Sequence, residues 1–138
     1  MKIEITIPGD PKSLKRHRTV KIGKFSREYD PSVNDKNTLV NISYTKIPDK
    51  PIEGPVSMTV KAYFIRPKSH FYTGKRSNVL RSDAPLFKTS KPDLSNIQKL
   101  IEDAYNKIMF HDDSQICLVS MVKIYSENPR TEIIIETI

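Results

Sequence analysis

Between Leu94 and Ile108 the apolar residues Leu94, Ile97, Leu100, Ile101, Ala104 and Ile108 recur three or four positions apart. That spacing predicts an amphipathic helix over 94–105 with one face to bury. Ser114 to Tyr125 then predicts a strand, with Ile116, Leu118, Val122 and Ile124 on one face. A helix and a strand that must each hide one side confine the chain to a helix-on-sheet build. Carboxylates flank the helix, Asp93 ahead of it and Asp112-Asp113 after it.

The remaining segments complete the sheet. Ile3, Ile5 and Ile7 alternate over 2–7, ended by Pro8-Gly9-Asp10-Pro11. Thr19 to Tyr29 predicts an irregular strand or hairpin. Asp30-Pro31-Ser32 resembles a helix start, and 32–46 is a mixed run rich in Asn, Thr and Val. Val56, Met58, Val60, Ala62 and Phe64 form a half-buried strand. Residues 66–92 form a long polar loop, functional or disordered. After Glu127-Asn128-Pro129, Thr131 to Thr137 is a final strand antiparallel to the one before it. The expectation is one α+β domain over 1–138: a small mixed β-sheet with helices packed on one face.

Charge narrows the partner. The chain carries a net +7, and it is unevenly spread. Lys12, Lys15, Arg16, Arg18, Lys21, Lys24 and Arg27 fall within 11–27 without an acid. Arg66, Lys68, Lys75, Arg76, Arg81, Lys88 and Lys91 fall within 66–91 against Asp83 alone. Blocks of one sign point to binding surfaces and an acidic partner such as nucleic acid. Acids amid such charge repel phosphates unless they hold a divalent cation, so the combination suggests metal-dependent phosphodiester chemistry. Phe71 and Tyr72 sit among the basic residues, suited either to stack on unpaired bases or to anchor the loop. The single Cys117 excludes an internal disulfide and reads as a small core residue. No apolar run approaches the ~20 residues that span a bilayer, and Met1 to Ile7 alternates as a strand, not a signal peptide. A cytoplasmic protein without a membrane partner is expected.

The acids can meet only if the helix ends on time. A helix from Ser95 to Tyr105 is ~16 Å long, and residues 106–113 extended cover up to ~26 Å. The chain can return if the helix stops near Asn106, which tolerates the left-handed conformation at a helix end. Each polar residue also has a plainer use. Asp93 can cap the helix, and Ser95-x-x-Gln98 has the spacing of a capping box. Lys99 can pair with Asp103 four residues on. Asp112-Asp113 can be a solvated turn, His111 an exposed loop residue or a general base, and Asn96 an ordinary helix-start residue.

Lys91-Pro92-Asp93-x-x-Asn96-x-x-Lys99, Glu102-Asp103-Ala104 and Asp112-Asp113-x-Gln115-Ile116 together resemble the signature of the RusA family of Holliday junction resolvases, which prophages often carry. The match departs at Ser95, where the family has a second Asp. The opening Pro8-Gly9-Asp10-Pro11 and Lys15-Arg16-His17-Arg18 also resemble the family's start, and the resemblance implies a helix over 32–46. It further implies Asp93 and Asp113 as Mg²⁺ ligands, Asp112 as a third ligand or a water-orienting group, and Lys99 as a catalytic cation. Ser95, Asn96, Glu102 and Asp103 are then supporting candidates, Ser95 as cap first and water-mediated ligand second. Lys12, Lys15, Arg16, Arg18, Lys75, Arg76, Arg81 and Lys91 are the candidate DNA contacts. A homodimer cutting four-way junction DNA in recombination and repair is the implied assembly. Two alternatives stay open: a junction-binding protein weakened by Ser95, and a basic nucleic-acid interaction module whose acids are caps and turns.

Overall fold

The computed structural model describes residues 1–138. Strands β1 (Lys2–Pro8), β4 (Val56–Phe64), β5 (Ile116–Tyr125) and β6 (Arg130–Thr137) form one sheet in the order β1-β6-β4-β5. β2 (Arg18–Ile22) and β3 (Phe25–Tyr29) form a separate two-stranded ribbon. Helices α1 (Val33–Ile42) and α2 (Leu94–Tyr105) supply the other layer. The expected α+β class with a mixed sheet is the architecture found.

Alternation sets the inner face of the sheet. Ile3 pairs with Ile135, which pairs with Met58; Ile5 pairs with Ile133, which pairs with Val60. These side chains join Ile97, Leu100, Ile101, Ala104, Tyr105, Met109 and Phe110 in one core. The predicted stripe of α2 is therefore its buried face.

Three details correct the sequence expectations. The last strand runs antiparallel to its predecessor as expected but is not its neighbour: β4 lies between them, parallel to β5 and antiparallel to β6. A helix separates β4 from β5, which permits parallel pairing, and the Ile133/Ile135 row fits between the rows of β1 and β4. Along β5, Leu118, Val122 and Ile124 do share a face, but it is turned away from the core, because Val119 and Met121 are the partners of Met58 and Val60. Cys117 is exposed, not core, since it sits at a register irregularity where the edge strand β5 begins. In addition α1 ends at Ile42, earlier than the expected 46, and a short 3₁₀ turn over Tyr44–Lys46 continues it.

The long loop 66–92 is built, not formless. Tyr72 N–H donates to Val79 O (3.0 Å) and Arg81 N–H to His70 O (2.9 Å), closing a small wing. Its return limb runs along the outer edge of β5, with Lys88 N–H on Lys123 O at 3.1 Å and Tyr125 N–H on Leu86 O at 3.0 Å. No helix is long and apolar enough to cross a membrane.

Candidate active site

Helix α2 starts at Leu94, with Asp93 extended at the N-cap (φ −73°, ψ 145°). Ser95 already lies inside the helix, so it cannot cap it, and Gln98 instead donates to Glu102 Oε1 at 2.7 Å. The expected Ser95–Gln98 capping box is absent. The same box occurs at Asp112, whose carboxylate accepts from Ser114 N–H while Gln115 Oε1 accepts from Asp112 N–H. The Ser114 hydrogen bonds hold the Asp112 carboxyl below its usual range. The two adjacent acids thus differ: Asp112 is engaged as a cap, whereas Asp113 faces α2.

Asp93 makes no side-chain capping bond. The segment leading to it is held from outside the helix. Lys123 Nζ donates to Ser90 O and Pro92 O, each at 2.8 Å, and the Lys91–Pro92 peptide is cis. The far end of α2 falls as the return path requires, after Tyr105, but Lys107 rather than Asn106 takes the left-handed conformation (φ 65°).

Lys99 is where the site converges. Its ammonium lies 3.2 Å from Asp103 and 3.6 Å from Asp113. The predicted pair with Asp103 is present, and the same lysine reaches the acid that follows the helix. Asp103, foremost, and then Asp113 raise the Lys99 pKa, so the side chain is a cation at any physiological pH. Behind it, Lys36 of α1 lies 3.9 Å from Asp103 and donates to Asp30 at 2.6 Å. Asp30–Lys36–Asp103–Lys99–Asp113 is one chain of alternating charge across three segments. Lys36, Asp30 and Lys123 were not foreseen. Only Asp30 left a trace, as part of a helix-start pattern, and it does accept from Ser32 N–H at 2.9 Å.

Other candidates fall around this centre. Leu14 N–H donates to Asn96 O (2.9 Å) and Lys15 N–H to Ser32 Oγ (2.8 Å). The segment bearing exposed Lys12, Lys15, Arg16 and Arg18 is thereby laced to the starts of both helices. In the wing, Arg76 lies 4.1 Å and Arg81 5.6 Å from the Tyr72 ring centre, and Arg81 also pairs with Asp83 at 3.1 Å. Tyr72 is covered by its own arginines, which favours the anchoring use of its ring, and the Phe71 backbone bridges to Leu80. Lys75 and Lys91 are exposed. His111 is exposed, 3.9 Å from Glu53, and Glu102 accepts from Gln98.

No group of three or more His, Cys, Asp and Glu side chains gathers as a closed metal site. Asp93 and Asp113 are hard oxygen donors, Asp93 without a capping bond and Asp113 shared only with Lys99. Each is the kind of single carboxylate that a cation keeping most of its waters takes from a protein.

Fold and site define a small basic α+β domain with a lysine-bridged acidic face, a composition suited to phosphodiester substrates. The family model described as Endodeoxyribonuclease RusA matches residues 8–136, and the chain belongs to the RusA endodeoxyribonuclease family. At the level of the family this means metal-dependent nuclease action on branched DNA, of the Holliday junction resolvase type. The chain is also 34% identical over 139 residues to "Uncharacterized protein YqaN" of Bacillus subtilis (strain 168), spanning 99% of this chain and 96% of the relative.

Proposed function

We propose that this chain is a Mg²⁺-dependent, structure-selective endonuclease that resolves four-way junctions as a homodimer, with Asp93, Asp113 and Lys99 at its centre. The observation that carries this reading is the differing use of three acids. Asp112 is engaged as a cap, Asp93 forms no cap, and Asp113 is presented to Lys99.

A Mg²⁺ held by Asp93 and Asp113 would lower the pKa of a bound water and polarise the phosphate. The protein's own residues do the rest. Lys99, kept protonated by Asp103, sets a positive charge beside the position where the transition state gathers negative charge. Asp103 in turn is steadied by Lys36, so the Lys99 side chain is held between two acids. Lys123 fixes the backbone before Asp93. Lys12, Lys15 and Arg16, on the segment laced to the first turn of α2, take phosphates of the arm being cut, with Arg18 at the root of the ribbon and Lys75, Arg76, Arg81 and Lys91 on the adjoining arms. Two copies acting on a near-two-fold junction place one centre at each of two equivalent strands.

A second reading has Ser95 in its favour. With Ser where the family has Asp, the donor set is one carboxylate short, and the chain becomes a junction binder that cuts slowly. Nicking of a labelled synthetic junction with and without Mg²⁺, beside a linear duplex, separates the two. Symmetric, Mg²⁺-dependent nicks support the nuclease. Selective binding without nicks supports the weakened form, and neither leaves the basic interaction module.

A further inference from the structure

The β2–β3 ribbon is the part of the molecule that its own fold least explains. All ten residues of its two strands are exposed. An isolated two-stranded hairpin is marginal in water and gains stability from a partner surface. The register sorts its side chains. Ile22 pairs with Phe25, Val20 with Arg27 and Arg18 with Tyr29, and because alternate pairs point to the same side, these six share one face. That face holds two arginines, four apolar or aromatic residues and no acid. Glu28 is on the opposite face, turned back to His17 Nδ1 at 2.9 Å. A two-residue turn closes the ribbon, with Gly23 in the left-handed region (φ 61°). Phe25, next to that turn, is 81% exposed and Ile22 61%. An aromatic side chain bared to this degree at the end of a cationic ribbon is a poor surface residue and a good wedge.

We propose that this face is a DNA-reading arm, with Arg18 and Arg27 on phosphates of adjoining arms and Phe25, backed by Ile22, stacked on a base exposed at the branch point. Charge selects the occupant: a second copy seated face to face would bring arginines against arginines, whereas DNA offers phosphates and, at a junction, unstacked bases. The lacing of Leu14 and Lys15 to the helix starts fixes the root of the arm beside the candidate active site. The arm would therefore set where cleavage falls relative to the branch point, and so supply the structure selectivity of the reading above, on which this inference rests.

The test is binding by the full chain in EDTA, without cleavage, to a four-way junction carrying 2-aminopurine at the branch point and to a matched linear duplex. Phe25→Ala is expected to weaken junction binding about tenfold, the scale of one lost base–aromatic stack. Duplex affinity should change less than about threefold on the same scale, the 2-aminopurine response should disappear, and Phe25→Trp should restore both. Melting should not move, because the arm lies outside the core. A junction-selective wild type matched by Phe25→Ala overturns the arm alone. A drop in sedimenting mass in Phe25→Ala overturns it in favour of a contact between copies. A wild type that does not prefer the junction overturns the junction reading and the arm together.

Discussion

Removing one hydroxyl, in Ser43→Ala, tests how α2 is docked. Tyr105 is fully buried in the last turn of α2, and its hydroxyl lies 2.6 Å from Ser43 Oγ. Ser43 Oγ donates to Leu39 O, also at 2.6 Å, so its proton is engaged and Tyr105 must be the donor of the pair. Burial pushes the Tyr105 phenol up to about 12. Ser43→Ala strands a buried donor, at a cost of roughly 1–3 kcal/mol. Tyr105→Phe removes that donor and leaves Ser43 bonded to Leu39, at roughly 1 kcal/mol. In the double variant no donor is stranded, and Leu39 O keeps its bond from Ser43 N–H at 3.1 Å. It should therefore be more stable than the sum of the singles by about 1 kcal/mol or more. With an unfolding entropy of about 2.1 cal/mol/K per residue and 138 residues, each kcal/mol moves Tm by roughly 3 °C, so Ser43→Ala should lose about 3–10 °C by calorimetry. Strict additivity would refute the hydrogen-bond argument. The pH dependence follows the same proton. The native phenol keeps it between about 10 and about 12, where the unfolded chain has released it, so stability is full below that window and falls as pH rises through it. Absorbance at 295 nm should show one of the six tyrosines ionising last, together with unfolding.

Other outcomes follow from single contacts. Lys107→Gly relieves a left-handed residue and should raise stability by about 1 kcal/mol, read as a higher Tm. Lys123→Met removes the one ammonium that donates to both Ser90 O and Pro92 O; it should cost roughly 1.5–3 kcal/mol and speed amide exchange over 90–96 more than elsewhere. Asp103→Asn loosens Lys99 and should lower the nicking rate about tenfold, a modest loss of transition-state charge stabilisation, without weakening junction binding in EDTA. Ser95→Asp should raise Mg²⁺ affinity or nicking rate.

What the sequence could show was local. The Ile3/Ile5/Ile7 and Val56-to-Phe64 alternations and the α2 stripe are periodicities within one element, and each became a core face. The order of strands was not legible, because Ile133 and Ile135 choose neighbours from segments far away in the chain. The face of β5 misled for the same reason: its alternation is real, but only the register with β4 decides which side meets the helices. Capping failed in an instructive way. Ser95-x-x-Gln98 and Asp112-x-x-Gln115 carry the same spacing, and only the second caps, because Asp93 is the last extended residue before α2. Of the site, the Lys99–Asp103 pair was legible from helical spacing, while the roles proposed for Asp93 and Asp113 rest on the family resemblance. The Asp30–Lys36–Asp103 links were not, since three segments meet there and no spacing announces it.

Metal-dependent cleavage at this site requires Asp93 and Asp113 to share one cation. Mn²⁺ titrated into ¹⁵N-labelled protein tests this directly through paramagnetic broadening. Amides of 93–95 and 112–114 should broaden together at the same low Mn²⁺ concentration, Asp93→Asn should abolish both effects, and Mg²⁺ should compete them away. Broadening confined to one of the two segments, or unchanged in Asp93→Asn, would contradict the shared cation.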